Sequence, residues 1–284
     1  MNRIILGTVQ FGMNYGINNK DGQISEEEVQ NILSYAQSVN IDTLDTAAGY
    51  GDSEVRIGQY NSSHQPFKII TKFDKINKID WETSIKNSIQ KLNVRKVDVA
   101  MYHSFESYLQ NKSQLPEILT RGKNKYFDKI GVSIYSNEEL SLLAEDVNVE
   151  VVQLPFNLLD NHSLKGELLK QAKEKGKVIH VRSVFLQGLF YKEIENLQPK
   201  FDGLKLALSK VKSIVREREI DINALALQYV LSKEYIDGVL IGVDSHQQLE
   251  QNVEALKTPI EGNVFAEIDK IQVENLDLLN PSKW

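Results

Sequence analysis

Cysteine is absent from all 284 residues, so no disulfide framework can brace the chain and nothing in its thiol content supports an exported life. Long apolar runs are absent too: none approaches the ~20 residues that a membrane-spanning helix requires. The opening MNRIILGT lacks the charged region, the apolar stretch and the small-residue cleavage site of a secretory signal. The expectation is a cytoplasmic protein that does not enter membranes. Cations are also outnumbered, with 33 Lys and Arg against 39 Asp and Glu for a formal net charge of −6, which argues against a surface that tracks nucleic-acid phosphates. His64, His162, His180 and His246 show no H-E-x-x-H or other ligand spacing, so they read as surface or core histidines and no metal is expected. Asn61, Asn111 and Asn161 each open an N-x-S triplet; without a secretory signal these read as chance composition. No linker, low-complexity tract or composition shift divides the chain.

What is present is the balance of a globular protein, 41% hydrophobic and 25% charged residues, patterned as short β-branched runs alternating with longer helical ones. The expected strands are Arg3 to Leu6, Ile41 to Leu44, Lys68 to Thr71, Val97 to Tyr102, Lys129 to Val132, Val149 to Leu154, Val178 to Arg182 and Gly238 to Ile241. Between them, Glu26 to Val39 has helical period and follows a Ser25–Glu28 capping box. Trp81 to Leu92 follows Asp80, Asn137 to Glu145 follows Ser136, and Leu164 to Lys175 stops at Gly176. VEVVQL and VDVAMY are apolar almost throughout, as strands buried on both faces should be. Eight βα repeats predict a single α/β domain over residues 1–284, a TIM (β/α)8 barrel, with a doubly wound open sheet as the alternative.

In a barrel the active site is built at the C-terminal ends of the strands. Those ends carry Gly7 and Thr8, Asp45 with Tyr50 in the loop beyond, Lys72, His103, Ser133, Gln153, Arg182 with Ser183, and Gly242. Reducing a carbonyl requires hydride at carbon and a proton at oxygen. A tyrosine, with a pKa of about 10 when unperturbed, becomes a usable acid when a nearby ammonium stabilises its phenolate. Lys72 supplies such a charge, Asp45 keeps it protonated against desolvation, and His103 can direct a ring N–H at the substrate oxygen.

With these residues the sequence resembles an aldo-keto reductase. LGTVQFG (6–12), DTAAGYGDSE (45–54), ITKF (70–73), VAMYHS (99–104), GVS (131–133), VVQLPFN (151–157), RSVFLQGL (182–189) and IGVDSHQQLEQN (241–252) are similar to that family's blocks and stand in its order. The resemblance implies the TIM barrel and a nicotinamide cofactor laid across its mouth, consistent with the lack of a G-x-G-x-x-G after any strand. It implies Tyr50 as general acid, Lys72 and Asp45 as its tuning pair, and His103 at the substrate carbonyl. Gly7, Thr8, Ser133, Gln153 and Arg182 would contact the cofactor, Ser133 and Gln153 holding its carboxamide. Its pyrophosphate and adenosine would fall to Ser183, Phe185, Gln187 and Gly188, and to Gly242, Val243, Asp244, Ser245, Gln248 and Asn252. NADP(H) is the cofactor the family implies; NAD(H) stays open because Gly242 and Gln248 stand where many NADP-preferring members carry Lys and Arg. Ile134 stands where the family often has Asn, and Arg182 where many members stack an aromatic ring.

Taken singly, Tyr50 reads equally as a turn residue, Lys72 as a surface lysine and His103 as a core histidine; four matching types on three consecutive strands favour the functional reading. Gly51 to Glu54 read as a turn and helix start whose acids complement the helix dipole. Lys205 to Arg218 reads as a solvated helix face, and Phe185 and Phe190 as packing rather than a substrate cage. The expected substrate is a small polar carbonyl, such as a sugar, because the stretches Gln10 to Gly22 and Ser104 to Gln114 are polar, with Tyr15, Phe105 and Tyr108 among their larger side chains. The tail Val264 to Trp284 is short for a closed hydrophobic lid. The alternatives are a cofactor-binding regulatory or interaction protein on the same barrel, and a lyase or isomerase using Lys72 as a Schiff-base amine.

Overall fold

The alternating runs form eight parallel strands in a computed structural model that describes residues 3–16, 19, 22–73 and 80–284. They are β1 (Ile4–Gly7), β2 (Thr43–Asp45), β3 (Lys68–Lys72), β4 (Val97–Tyr102), β5 (Phe127–Ser133), β6 (Val151–Pro155), β7 (Val178–Arg182) and β8 (Gly238–Gly242). Each pairs with its sequence neighbour, and β8 returns to β1 with Ile4 opposite Val239 and Gly7 opposite Gly242. That closing ladder makes the molecule a (β/α)8 barrel and excludes the open sheet.

Both faces of the strands are buried, which explains their continuous apolar character. Ile5, Ile70, Val99, Met101, Val151 and Leu240 point inward and fill the barrel. Their neighbours Leu6, Ile69, Ala100, Val152 and Val239 point outward into a larger layer beneath the helices. Because the side-chain period is two, the next inward positions along each strand are the ones that reach the barrel mouth.

The helices begin where local chemistry supplies a cap. Ser25 accepts from Glu28 N ahead of Glu26–Ser38, and Asp80 from Thr83 N ahead of Trp81–Leu92. The Ser25 box is only half formed, because the Glu28 carboxylate accepts instead from His246 N at 2.5 Å. The reciprocal box belongs to Ser136 and Glu139 before Asn137–Glu145. The next helix, His162–Glu174, starts two residues earlier than its apolar period indicates, because Asn161 caps it, and Gly176 at φ +82° ends the segment. Lys205–Glu217 buries Ala207, Leu208, Val211 and Ile214 and turns its charges outward.

The three asparagines of the N-x-S triplets are buried and bonded. Asn61 Nδ2 donates to Leu92 O, Asn111 to Ser107 O, and Asn161 to Leu158, Ile268 and Ile271 O. Asn61 and Asn161 thereby tie distant segments together, whereas the Asn111 bond stays within its own helix Phe105–Asn111. Among the described residues no helix is long and apolar enough to cross a membrane.

A titratable side chain also lies inside the barrel, below the mouth. His180 on β7 is 8% exposed, and its Nδ1 has no hydrogen-bond partner among the described residues. Burial pushes its pKa down from 6.5 to about 4, Asp45 and Asp237 opposing. The folded protein therefore binds this proton more weakly than the unfolded chain, and the associated stability is present above pH ~6.5 and lost as pH falls through about 4. The full loss is about 3 kcal/mol. Urea unfolding at pH 7 and pH 4.5 should show His180→Leu narrowing the difference in stability between the two; an unchanged difference would remove His180 from the account.

Candidate active site

At the C-terminal end of the barrel the inward positions open into a cavity of about 730 Å³. Asp45, Tyr50, Lys72 and His103 line it, as do Gly7, Thr8, Ser133, Gln153, Arg182, Ser183, Phe185, Gln187, Gly188, Gly242, Asp244, Gln248 and Asn252. Val243 and Ser245 do not. Val243 follows the inward Gly242, so the strand's alternation turns it into the core at 1% exposure. Ser245 is spent as an N-cap, accepting from Gln248 N at 3.2 Å.

The mouth is organised around one buried ion pair. Lys72 Nζ donates to Asp45 Oδ1 at 2.5 Å and to Thr46 O at 3.1 Å, and Gln153 Nε2 donates to Asp45 Oδ2 at 2.8 Å. Lys72 is 2%, Asp45 3% and Gln153 1% exposed. Burial works against the ammonium, but the Asp45 and Tyr50 charges and the Asp45 hydrogen bond outweigh it, so Lys72 is held above its ordinary value. The Tyr50 ring lies over this pair, its centroid 5.3 Å from Lys72 Nζ. His103 meets Tyr50 edge to face at 5.8 Å. Desolvation, then the Lys72 and Arg182 cations, push His103 down to about 4, with Asp45 opposing. Its ring is nevertheless open to the cavity, so it presents a neutral imidazole there at neutral pH.

Tyr50 is held by a turn that only glycine permits. Tyr50 N donates to Ala47 O and Ser53 N to Tyr50 O, both at 3.0 Å. Gly51 takes φ +56°, and a Cβ there would come within 2.2 Å of Gly12 O. A Cβ on Gly12 would in turn come within 1.8 Å of Tyr50 O. Gly12→Ala must therefore displace the Tyr50 turn, with an expected loss of about 1–3 kcal/mol in denaturant unfolding; stability equal to wild type would show that the contact yields freely. The start of the helix Ser53–Asn61 is also fixed from below. Ser53 Oγ donates to Thr8 O at 2.9 Å, and Thr71 Oγ1 to Glu54 Oε1 at 2.7 Å. Glu54 stands in the first turn of this helix, as the sequence indicates, but it is buried, as Ser53 is, and also serves as an acceptor for β3.

Arg182 is pinned to its own side of the mouth. Its Nη2 donates to Ile134 O at 3.1 Å, and its guanidinium lies 4.1 Å from the Tyr135 ring centroid. Ile134 itself is fully buried and Ile134 N donates to Gln153 O at 2.8 Å. The following loop carries Ser183, Leu186, Gln187 and Gly188 at positive φ, and Asn157 Nδ2 donates to Ser183 O at 3.2 Å. Buried Lys165 braces this region through Asp160 at 2.7 Å and Pro155 O at 3.1 Å. Phe190 is core, whereas Phe185 lines the cavity.

The walls differ from the sequence expectation. Beyond His103, no residue of the stretch to Gln114 lines the cavity: it forms the helix Phe105–Asn111, with Tyr108 2% exposed against Tyr102. Tyr15, Gly16 and Asn19 of the β1 loop do reach the cavity, while residues 17, 18, 20 and 21 of that stretch lie outside the described residues. Gln10, Tyr135, Tyr191, Asn223, Pro281 and Ser282 also line the cavity, with Val9, Val184, Leu240, Ile241 and Gln251. The short tail therefore contributes to the wall, anchored by Trp284 against Phe201. Only the polar-aromatic character of these loops could have marked them, since they have no periodicity. Among the described residues no group of three or more His, Cys, Asp or Glu is placed to hold a metal ion.

A closed parallel barrel with polar and titratable strand ends defines the class. The chain matches the Aldo/keto reductase family over residues 3–273 and belongs to it. It is similar to D-arabinose 1-dehydrogenase of Saccharomyces cerevisiae, 25% identical with 87% of this chain and 82% of the relative covered. It is likewise similar to L-galactose dehydrogenase of Arabidopsis thaliana, 25% identical with 83% and 80% covered. The fold matches a solved aldo-keto reductase of Bacillus halodurans with TM-score 0.72 and 19% identity, over 95% of this chain and 92% of the other. Membership of this family makes the protein an oxidoreductase.

Proposed function

We propose that the chain interconverts a small polar carbonyl, of the aldose type, and the corresponding alcohol, using a nicotinamide dinucleotide held in the mouth cavity. The observation that carries this reading is the Tyr50 phenol standing over the buried Lys72–Asp45 pair with a neutral His103 beside it. The cavity's residues fit such a cofactor. Gly7 and Gly242 face each other across β1 and β8, and a Cβ on Gly242 would come within 2.8 Å of Gln10 Nε2. Gln10 Oε1 is buried with no partner among the described residues, an acceptor left for a bound donor. Ser133 and Gln153 bring a hydroxyl and an amide to the same floor.

When bound, the cofactor exchanges hydride with the substrate carbon. Tyr50 gives its phenolic proton to the carbonyl oxygen in the reducing direction and recovers it in the oxidising one. Lys72 stabilises the phenolate that remains, and Asp45 keeps Lys72 charged. His103, neutral, donates a ring N–H to the same oxygen and fixes its direction. Lys72 is a poor Schiff-base amine while it is protonated and bound to Asp45, which disfavours lyase chemistry.

The substrate class rests on the phenols and amides of Tyr15, Tyr135, Tyr191 and Asn223 in the wall, and on relatives named as sugar dehydrogenases. The test follows reduced-cofactor absorbance with a panel of aldoses and aldehydes in both directions. Turnover of polar carbonyls is the expected result. Tight cofactor binding with no turnover of any carbonyl would favour the interaction-protein alternative.

A further inference from the structure

Among the described residues, the lysine and arginine that line the mouth cavity are Lys72 and Arg182. Their charges are held differently. Lys72 is neutralised by Asp45 at 2.5 Å, whereas Arg182 meets the Ile134 carbonyl, the Tyr135 ring and, among the described residues, no carboxylate. Asp160 senses the guanidinium but is itself paired with Lys165 at 2.7 Å. Strands β5, β6 and β7 are neighbours, with Ser133 opposite Gln153 and Pro155 opposite Arg182, so Ser133, Gln153 and Arg182 form one arc of the mouth. The Arg182 charge reaches the groups on the adjoining arc: it helps push His103 down and works against the Lys72 ammonium.

Resting on the nicotinamide reading above, we propose that the Arg182 guanidinium makes the mouth select the redox state of its cofactor, holding the reduced ring more tightly than the oxidised one and biasing the bound reactants toward alcohol oxidation. A ring that exchanges hydride with the carbon whose oxygen faces Tyr50 and His103 must lie beside those residues. The hydroxyl of Ser133 and the amide of Gln153 draw its carboxamide to the β5–β7 side, next to Arg182. Oxidised and reduced forms of one dinucleotide carry the same phosphates and differ at this ring, which is a cation when oxidised and neutral when reduced. A neighbouring guanidinium therefore repels the oxidised form alone. In alcohol oxidation the substrate C–H bond breaks and its electron pair leaves with the hydride for the ring, while the O–H proton goes to the Tyr50 phenolate. The ring loses its charge in that step, so the repulsion from Arg182 is relieved and the bound equilibrium moves toward the carbonyl. Arg182 is only half-buried, so solvent screens the effect to about tenfold rather than the larger value of a dry site.

The experiment is direct binding, by calorimetry on the full chain, of NADH and NAD⁺ and of NADPH and NADP⁺. Within whichever pair binds, the reduced form should bind about tenfold more tightly. Arg182→Gln should lower that ratio about tenfold, and Arg182→Lys, which keeps the charge, should retain most of it. 5′-AMP, which lacks the ring, should bind the unaltered chain and Arg182→Gln alike. Oxidised cofactor binding as tightly as reduced, or more so, in the unaltered chain overturns the proposal without recourse to any variant. An equal change for both forms in Arg182→Gln also overturns it, by making the residue a plain contact, as does Arg182→Lys behaving like Arg182→Gln. Binding of none of these dinucleotides overturns the cofactor reading itself, which separates that failure from a failure of redox selection.

Discussion

Tyr50→Phe is expected to lower kcat by about 10²–10⁴-fold while the cofactor dissociation constant stays within about twofold. The substitution removes only the phenolic oxygen. The ring that packs edge to face with His103 and lies 5.3 Å from Lys72 Nζ is retained, so the turn set by Gly12 and Gly51 should keep its shape. If Tyr50 is the proton donor, the loss falls on kcat and kcat/KM together, the pattern of an interaction made only in the transition state. Paired measurement of steady-state rates and cofactor affinity decides it. A variant that turns over as fast as wild type removes Tyr50 from the chemistry. A loss confined to KM would make it a substrate contact instead.

His103 cannot readily substitute for the missing acid. With its pKa near 4 it carries no proton to give as an acid at neutral pH. The imidazole is kept neutral by desolvation and by the Lys72 and Arg182 cations, which suits it to orienting a substrate oxygen rather than to supplying the proton.

The barrel was legible because burial on both faces leaves an apolar signature, and all eight runs became strands. Boundaries shifted where polar residues sit inside a strand or where a turn mimics one. Asp128 and Lys129 lie within β5, which therefore starts at Phe127 rather than Lys129. Val149 is β-branched yet closes a turn onto Asp146 O, so β6 starts at Val151. The strand-end residues of the site were legible for the same reason of alternation: Asp45, Lys72, Ser133, Gln153 and Arg182 are inward positions at the mouth. Val243 is one residue out of that phase, and its side chain turns into the core. Tyr135, Asn223 and Ser282 reach the cavity from the loop after β5, the start of the helix Ile222–Leu231 and the C-terminal tail, and nothing local in the sequence ties them to it. Likewise the Glu28 carboxylate finds a partner 218 positions away rather than in its own first turn.

The buried pair beneath Tyr50 should show separable structural and chemical roles. Lys72→Met leaves the Asp45 carboxylate at 3% exposure with Gln153 Nε2 as its remaining side-chain donor. Asp45→Asn leaves the Lys72 ammonium with a neutral amide in place of its counter-charge. Breaking a buried pair from one side strands the other charge and costs about 3–5 kcal/mol. Each single variant should therefore lose that much in denaturant unfolding and lose turnover by about 10²-fold or more. In Asp45→Asn the mechanism of the second loss is specific: burial already works against the ammonium, so without the carboxylate Lys72 gives up its proton and no longer stabilises a phenolate. The double variant Lys72→Met/Asp45→Asn removes both charges together, and its stability should recover most of the loss because no unpaired charge remains. Its turnover should not recover, since the cation beneath the phenol is still missing. Unfolding free energies and rates measured on all four proteins of this cycle test both statements. Recovery of turnover alongside stability would reduce the pair to a packing element and break the link from Lys72 to Tyr50.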